Sequence, residues 1–255
     1  MPDSELQAVA ADVGYAETAF VVQRAIEGDQ RHLRLRYFSP VAEVPFCGHA
    51  TIATAAVLPQ RDGPGPFTFE TPVGPISIGT TITDGLVHAA FTSPPPQVDE
   101  FAHGVLAELL ELLGVTEGDL DPRYPPPMVA YAANWHPILV FAARDTFDRF
   151  TFDPRAVRNL MDAQKWAATV TTAFAISSVE FETRNIFPVG TIVEDPATGS
   201  AAASLGGYLR LLERVTAPAR VIVHQGRHVG RPSLLTLDIP ASGGIVVSGT
   251  AVQIN

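Results

Sequence analysis

The sequence predicts an α+β protein in two similar halves, each made of several strands around one helix of small residues. Three observations carry that prediction. Short alternating or β-branched runs, punctuated by Gly and Pro, outnumber helical patterns in both halves. The run Ser93-Pro94-Pro95-Pro96 divides the chain, because consecutive prolines cannot continue a hydrogen-bonded ladder and favour a stiff extended segment. Finally, Gly48-His49-Ala50-Thr51-Ile52-Ala53-Thr54-Ala55-Ala56-Val57-Leu58 aligns with Gly199-Ser200-Ala201-Ala202-Ala203-Ser204-Leu205-Gly206-Gly207-Tyr208-Leu209, with identity at the Gly, the first Ala and the final Leu. Each segment follows a Pro-containing turn, and side chains this small let strands approach a helix closely on every side. Each helix is therefore expected inside a sheet. The halves span 1–93 and 97–244.

Along the chain, Asp3 or Ser4 caps a short amphipathic helix carrying Leu6, Val9 and Ala10, which Gly14 stops. A strand is expected over about 17–25. Residues 32–38 alternate as a half-buried strand does, with Leu33, Leu35 and Tyr37 on one face and Arg34 and Arg36 on the other. After a turn at Ser39-Pro40, a helix over 50–58 ends at Pro59, and strands follow at 67–70, 76–80 and 86–92. Beyond the prolines, 100–113 has the apolar spacing of a helix ending at Gly114, and 121–127 is a second proline-rich loop. Strands are expected near 136–143, 169–175, 179–187, 219–224, 233–239 and 245–254, with helices at 154–164 and 200–213.

Composition narrows the function classes. At 255 residues the chain can bury roughly 70–75% of its unfolded surface, so a core needs neither disulfides nor a metal. Hydrophobic residues are 46%, charged residues only 17%, and 22 prolines punctuate the loops, which describes a compact globule and not a disordered chain. With 27 acidic against 17 basic residues the net charge is −10, which works against phosphate neutralisation and so against nucleic-acid binding. A lone cysteine, Cys47, makes no internal disulfide, and Met1-Pro2-Asp3-Ser4-Glu5 lacks the basic and apolar regions of a signal peptide. The most apolar window, 128–143, is interrupted by Asn134, His136 and Pro137 and is shorter than the roughly 20 residues of a membrane span. A cytoplasmic protein with neither nucleic-acid nor membrane partners is the expectation.

Two helix starts carry the chemistry: Phe46-Cys47-Gly48-His49 and Glu194-Asp195-Pro196-Ala197-Thr198-Gly199-Ser200. A helix start exposes unpaired N–H groups with a partial positive charge, and Gly48 and Gly199 would let an anionic carboxylate approach them. The plainer alternative is that Asp195, Thr198 or Ser200 merely caps its helix and that the glycines merely fit turns. His49 and Asp195 would add an imidazole and a carboxylate suited to moving protons on a small acid. Glu17 heads an apolar strand; if buried, its pKa should rise and it could serve as a base near neutral pH. Cys47, two residues before His49, invites a cysteine-nucleophile reading, but no separate orienting group accompanies it, and a small buried hydrophobe is the alternative. His224, Arg227, His228 and Arg231 lie among turn residues, where four-residue spacing does not gather metal ligands, so no metal site is expected. Absence of a Walker loop, a dinucleotide fingerprint and a G-x-S-x-G elbow removes the common routes to a nucleotide cofactor or a serine hydrolase.

In the same order along the chain, Glu17-Thr18-Ala19-Phe20, Phe46-Cys47-Gly48-His49-Ala50-Thr51 and Glu194-Asp195-Pro196-Ala197-Thr198-Gly199-Ser200-Ala201 resemble the motifs of the phenazine-biosynthesis PhzF-like proteins. Arg36-Tyr37-Phe38-Ser39-Pro40, His224-Gln225-Gly226 and Gly230-Arg231-Pro232 support the likeness, which covers essentially the whole chain. The resemblance implies the diaminopimelate-epimerase-like fold: two pseudo-symmetric halves, each a curved, mostly antiparallel sheet around a central helix, with the active site in the cleft between them. It implies that a last strand over about 245–255 returns to the first half, and that a homodimer is common. It further implies cofactor-independent isomerisation of a small carboxylate, with Glu17 as the proton-transferring group, His49 and Asp195 as its polar partners, and Gly48, Gly199 and Ser200 on the substrate. Related epimerases use two cysteines, and a chain holding only Cys47 is not expected to follow that route. Family chains usually begin with an apolar strand and a Gly-Asn-Pro segment before the Glu17 motif, whereas this sequence starts inside the following helix. Either the start lies upstream or the first half lacks a strand, and the second case would expose unpaired backbone and give poor solubility or partner exchange. A carboxylate-binding homologue without turnover is the alternative function.

Overall fold

The computed structural model describes residues 1–15, 17–44, 46–189 and 192–251. The chain divides into two compact units, Met1–Thr92 together with the residues from Ser248 onward, and Ser93–Val247. Within the first unit, α1 (Asp3–Val13) precedes β1 (Thr18–Gln23), β2 (His32–Phe38) and the two-residue β3 (Glu43–Val44). Next come α2 (Gly48–Val57), a short α3 (Pro59–Asp62), β4 (Gly65–Thr71), β5 (Gly74–Thr83) and β6 (Leu86–Thr92). Its sheet runs β1-β2-β4-β5-β6, with β3 beside β2. Every pairing in it is antiparallel except β2 with β4, which are parallel because α2 crosses between them.

Alternation decides which faces are buried. Leu33, Leu35 and Tyr37 of β2 and Phe69 of β4 are fully buried, whereas Arg34 is exposed. Helix α1 packs Leu6 and Ala10 on Phe38 and Phe20, and Val9, expected on the same face, is exposed. Burying a leucine in this way contributes about 2 kcal/mol. The cap expected from Asp3 or Ser4 is not made: Pro2 holds the capping position, and the Asp3 carboxylate accepts from Arg36 Nη1 at 2.7 Å instead. Gly14 ends the helix in the left-handed region, φ 67°, as its sequence position suggested. Pro59 does not end the helical path after α2, since it stands at the first turn of α3, where its missing N–H costs nothing.

The second unit contains β7 (Gln97–Asp99), α4 (Val105–Leu112), β8 (Met128–Tyr131), β9 (Trp135–Phe141), α5 (Arg144–Arg149), α6 (Pro154–Gln164) and β10 (Val170–Ser177). It continues through β11 (Glu180–Val189), β12 (Ile192–Asp195), α7 (Gly199–Leu211), β13 (Ala219–Gln225) and β14 (Ser233–Ile239). The last strand, β15 (Val246–Thr250), straddles the boundary; residues 252–255 of the expected C-terminal strand lie outside the described residues. The sheet order is β14-β13-β11-β10-β9-β8-β7, with β12 beside β11. Helix α4 starts at Val105, later than its apolar spacing suggested, because Gly104 just before it takes a left-handed φ of 80°. Strands β7, β8 and β12 and helix α5 were not expected, since runs of three to six residues show too little periodicity to be read.

The internal repeat is now visible as topology. In the first unit β1 and β2 are antiparallel, β3 folds back on β2, α2 crosses over, and β4 lies parallel to β2. In the second, β10 and β11 are antiparallel, β12 folds back on β11, α7 crosses over, and β13 lies parallel to β11. The crossover helices are the two small-residue segments. Helix α7 is buried from Ala201 to Leu209, and a Cβ on Gly207 would run into the Pro96 ring. The proline run that divides the sequence therefore packs on a glycine of this helix. Among the described residues, no helix is long and apolar enough to cross a membrane.

Candidate active site

The first helix start is built on β2. The Cys47 carbonyl accepts from the Thr51 backbone N–H at 3.0 Å and from its hydroxyl at 2.6 Å, and Tyr37, from the buried face of β2, reaches the same hydroxyl at 2.7 Å. Because Thr51 gives its proton to the carbonyl, Tyr37 is the donor to Thr51. Burial pushes the Tyr37 phenol up to about 12, so it keeps that proton. With the helix start so tied, Cys47 stands at the capping position, and Gly48 and His49 follow as the first helical residues.

Three reactive atoms meet here. Cys47 Sγ lies 3.6 Å from Glu17 Oε2, donating to it, and 3.4 Å from His49 Nε2; Glu17 Oε2 and His49 Nε2 are 3.3 Å apart. The Glu17 carboxylate is 12% exposed and the His49 ring 27%, so both are reachable from solvent, while Cys47 is buried. Glu17 gets there because it directly precedes β1, whose pairing Thr18↔Phe38 anchors the strand's beginning beside the end of β2. A carboxylate within reach of an imidazole and a thiol is equipped to take and return a proton. Cys47 is the sulfur neighbour of that carboxylate as well as a buried side chain.

The second helix start is organised by hydrogen bonds. Strand β12 pairs Asp195 with Asn185, and the Asp195 carboxylate then accepts from Ala197 N at 3.3 Å and from the Thr198 hydroxyl at 2.6 Å. Gln225, from β13, donates to the Asp195 carbonyl at 2.6 Å and to the Thr198 hydroxyl at 3.0 Å, and accepts from Thr198 N at 3.1 Å. These bonds show Asp195 bracing the turn before α7, while Thr198 holds the capping position and makes no side-chain cap bond. Neighbouring Glu194 is buried and paired with Arg184 at 2.5 Å, whose guanidinium also donates to the Phe147 carbonyl and covers the Phe150 ring. A Cβ on Gly226, held at φ 80°, would collide with the Pro196 and Arg231 carbonyls, so the turn after β13 and the turn before α7 depend on that glycine together.

Ser200 has a partner that sequence reasoning missed. Its hydroxyl lies 3.0 Å from Nε2 of His136, a fully buried residue of β9. The other ring nitrogen, Nδ1, is 3.0 Å from both the Thr169 carbonyl and the Thr169 hydroxyl. A carbonyl accepts only, so Nδ1 carries the proton, Nε2 accepts, and the Ser200 hydroxyl donates to it. Burial lowers the His136 pKa to about 4, which keeps the ring neutral and this polarity fixed. Behind it, the hydroxyls of Thr169 and Thr171 donate to Asn185 Oδ1 at 3.0 and 2.7 Å, and Asn185 is the residue paired with Asp195. In the sequence His136 only interrupts an apolar run; a histidine within such a strand requires a polar partner, and that was the available signal.

His224 and His228 are not brought together as ligands. His224 bonds Glu180 at 2.8 Å and His228 bonds Asp148 at 3.0 Å. Asp148, Glu182 and His228 do gather their donor atoms, but Arg144 and Arg227 already pair with both carboxylates.

Comparison with known proteins now decides the family. The family model PhzC-PhzF, described as phenazine biosynthesis-like protein, matches residues 1–255. The chain belongs to this family. The uncharacterized isomerase YfhB of Bacillus subtilis is similar at 26% identity over 262 residues, which cover 98% of this chain and 86% of that protein. The trans-2,3-dihydro-3-hydroxyanthranilate isomerase of Pseudomonas fluorescens is similar at 29% identity over 235 residues, covering 92% and 79%. Among solved structures, the PhzF-family phenazine biosynthesis protein of Bacillus anthracis shares the fold, with a TM-score of 0.83 at 24% identity over 100% of this chain and 88% of that one. The protein is accordingly a PhzF-family isomerase with an α+β fold.

Proposed function

We propose that this PhzF-family isomerase moves a proton on a small carboxylate, with Glu17 as the acid/base. The observation that carries the proposal is the Glu17 carboxylate, nearly buried and 3.3 Å from His49 Nε2 at the start of a small-residue helix. In the reaction, the Glu17 carboxylate takes a proton as a C–H bond of the substrate breaks, the electron pair shifts along the conjugated system, and Glu17 returns the proton as a C–H bond forms at another carbon. Atoms and charge balance without a further reactant. His49 supports the charge changes at Glu17. The backbone N–H of Gly48, at the start of α2, serves the substrate carboxylate.

The polarity of Ser200 sharpens the substrate class. Its proton is committed to neutral His136, so the hydroxyl offers lone pairs and suits an N–H or O–H of the substrate better than a carboxylate oxygen. An amino- or hydroxy-substituted carboxylate fits, and the Pseudomonas fluorescens relative is named for such a compound.

The test is proton NMR in D₂O on a panel of amino- and hydroxy-carboxylates, including trans-2,3-dihydro-3-hydroxyanthranilate, with the wild-type chain and with Glu17→Gln. Deuterium entering a carbon position with wild type and lost in Glu17→Gln is the expected result. The alternative, a carboxylate-binding homologue without turnover, draws its support from the hydrogen bonds by which Asp195 holds Ala197 and Thr198 and Ser200 holds His136, which serve the fold. Ligand binding with no exchange from any compound would decide for it.

A further inference from the structure

We infer that Glu17, Cys47 and His49 form a zinc-binding site whose occupation silences the acid/base. Oε2, Sγ and Nε2 are three different donor types, and they form one triangle with sides of 3.3, 3.4 and 3.6 Å. A tetrahedral zinc ion sits about 2.0–2.2 Å from oxygen and nitrogen and about 2.3 Å from sulfur, which requires ligand-to-ligand edges of about 3.3–3.6 Å. The three separations are therefore close to the edges of one face of a zinc tetrahedron, which a turn of the His49 ring completes. The imidazole is 27% exposed, so an ion can reach the three donors from solvent.

Charge favours the same ion. Zinc binding releases the thiol proton to solvent, and the thiolate, the carboxylate and neutral imidazole then balance the two positive charges. Sγ is nearly equidistant from both ring nitrogens, at 3.5 Å from Nδ1, so the ring must turn about its Cβ–Cγ bond to aim the Nε2 lone pair at the ion. That torsion is broad and soft. The second carboxylate–histidine group, at Asp148, Glu182 and His228, has no thiol, and two guanidinium groups already neutralise its carboxylates.

A zinc ion on Oε2 removes the lone pair with which Glu17 would accept a proton. Binding stands independently of the catalytic reading, and inhibition rests on it, so the experiment measures both. Cobalt(II) is titrated into the untagged full chain as the spectroscopic probe, followed by competition with zinc. The expected result is one cobalt per chain, with visible bands of tetrahedral strength and a near-ultraviolet thiolate-to-cobalt band that zinc abolishes. In Cys47→Ser the near-ultraviolet band is absent and zinc affinity falls at least tenfold, and His49→Gln weakens binding similarly while its melting curve reports folding. Stoichiometric zinc also stops deuterium exchange in wild type, and a chelator restores it. No thiolate band in wild type, or an unchanged band in Cys47→Ser, overturns the site. The band without any exchange in metal-free protein leaves the site standing and overturns the catalytic reading instead.

Discussion

The starts of α2 and α7 occupy the same place in two similar topologies, yet their side chains are held differently. At the first, a carboxylate, a thiol and an imidazole meet at 3.3–3.6 Å, distances that are long for hydrogen bonds to nitrogen and oxygen and ordinary for sulfur. At the second, Asp195, Thr198, Gln225, Ser200, His136, Thr169 and Asn185 are joined by bonds mostly between 2.6 and 3.1 Å. The first set brings groups that can exchange a proton within reach of one another. Groups that must hold a geometry are over-determined by a buried network.

Substitutions at the two helix starts should therefore fail in opposite ways. The largest effect is expected for Glu17→Gln, which should lower the exchange rate by roughly 10²–10⁴-fold with little change in the melting curve. A melting curve shifted as much as the rate would remove the contrast. Second, Glu194→Ala leaves Arg184 as an unpaired buried charge and should cost about 3–5 kcal/mol in chemical denaturation.

Third, His136 makes the second unit pH-sensitive. Its folded-state pKa of about 4 lies below the roughly 6.5 of an unfolded histidine, so the unfolded chain takes up the extra proton first as pH falls. Stability from this group is complete above about pH 6.5 and declines toward pH 4, by up to about 3 kcal/mol. His136→Gln should flatten that part of the stability–pH curve, and equal slopes for both chains would show that the ring is not buried neutral. The smallest effect belongs to Asp195→Ala, which removes acceptors from Ala197 and Thr198 and should cost about 1 kcal/mol in denaturation, in the range of a lost helix cap. Any loss of exchange beyond that structural cost would place its carboxylate on the substrate.

Local signals explain how much was readable. The strand at 32–38, the helix at 154–164 and the strand at 233–239 agree with the structure at both ends, because alternation, Asp153-Pro154 at a helix start and flanking glycine or proline all act within a few residues. The Asp3 or Ser4 cap failed for the opposite reason: Arg36, far along the chain, competes for the Asp3 carboxylate. At the first helix start, the sequence order Cys47-Gly48-His49 already placed two of the three meeting groups side by side. Glu17 joined them through the motif, and its position before a strand gave no distance.

By itself, then, the sequence determined the two-part α+β organisation, the two small-residue crossover helices and the residues at their starts, since each follows from backbone preferences and side-chain size over short spans. Only the tertiary structure decided partnership. Ser200 and His136 are 64 residues apart, and Thr198 and Gln225 are 27 apart; both pairs exist because strand register and helix crossovers bring them together. The same arrangement commits the Ser200 proton to His136 and gives the Glu17–Cys47–His49 triangle its dimensions. A side chain's chemistry is written in its residue type, whereas its polarity and reach depend on which neighbour the fold puts within hydrogen-bond distance.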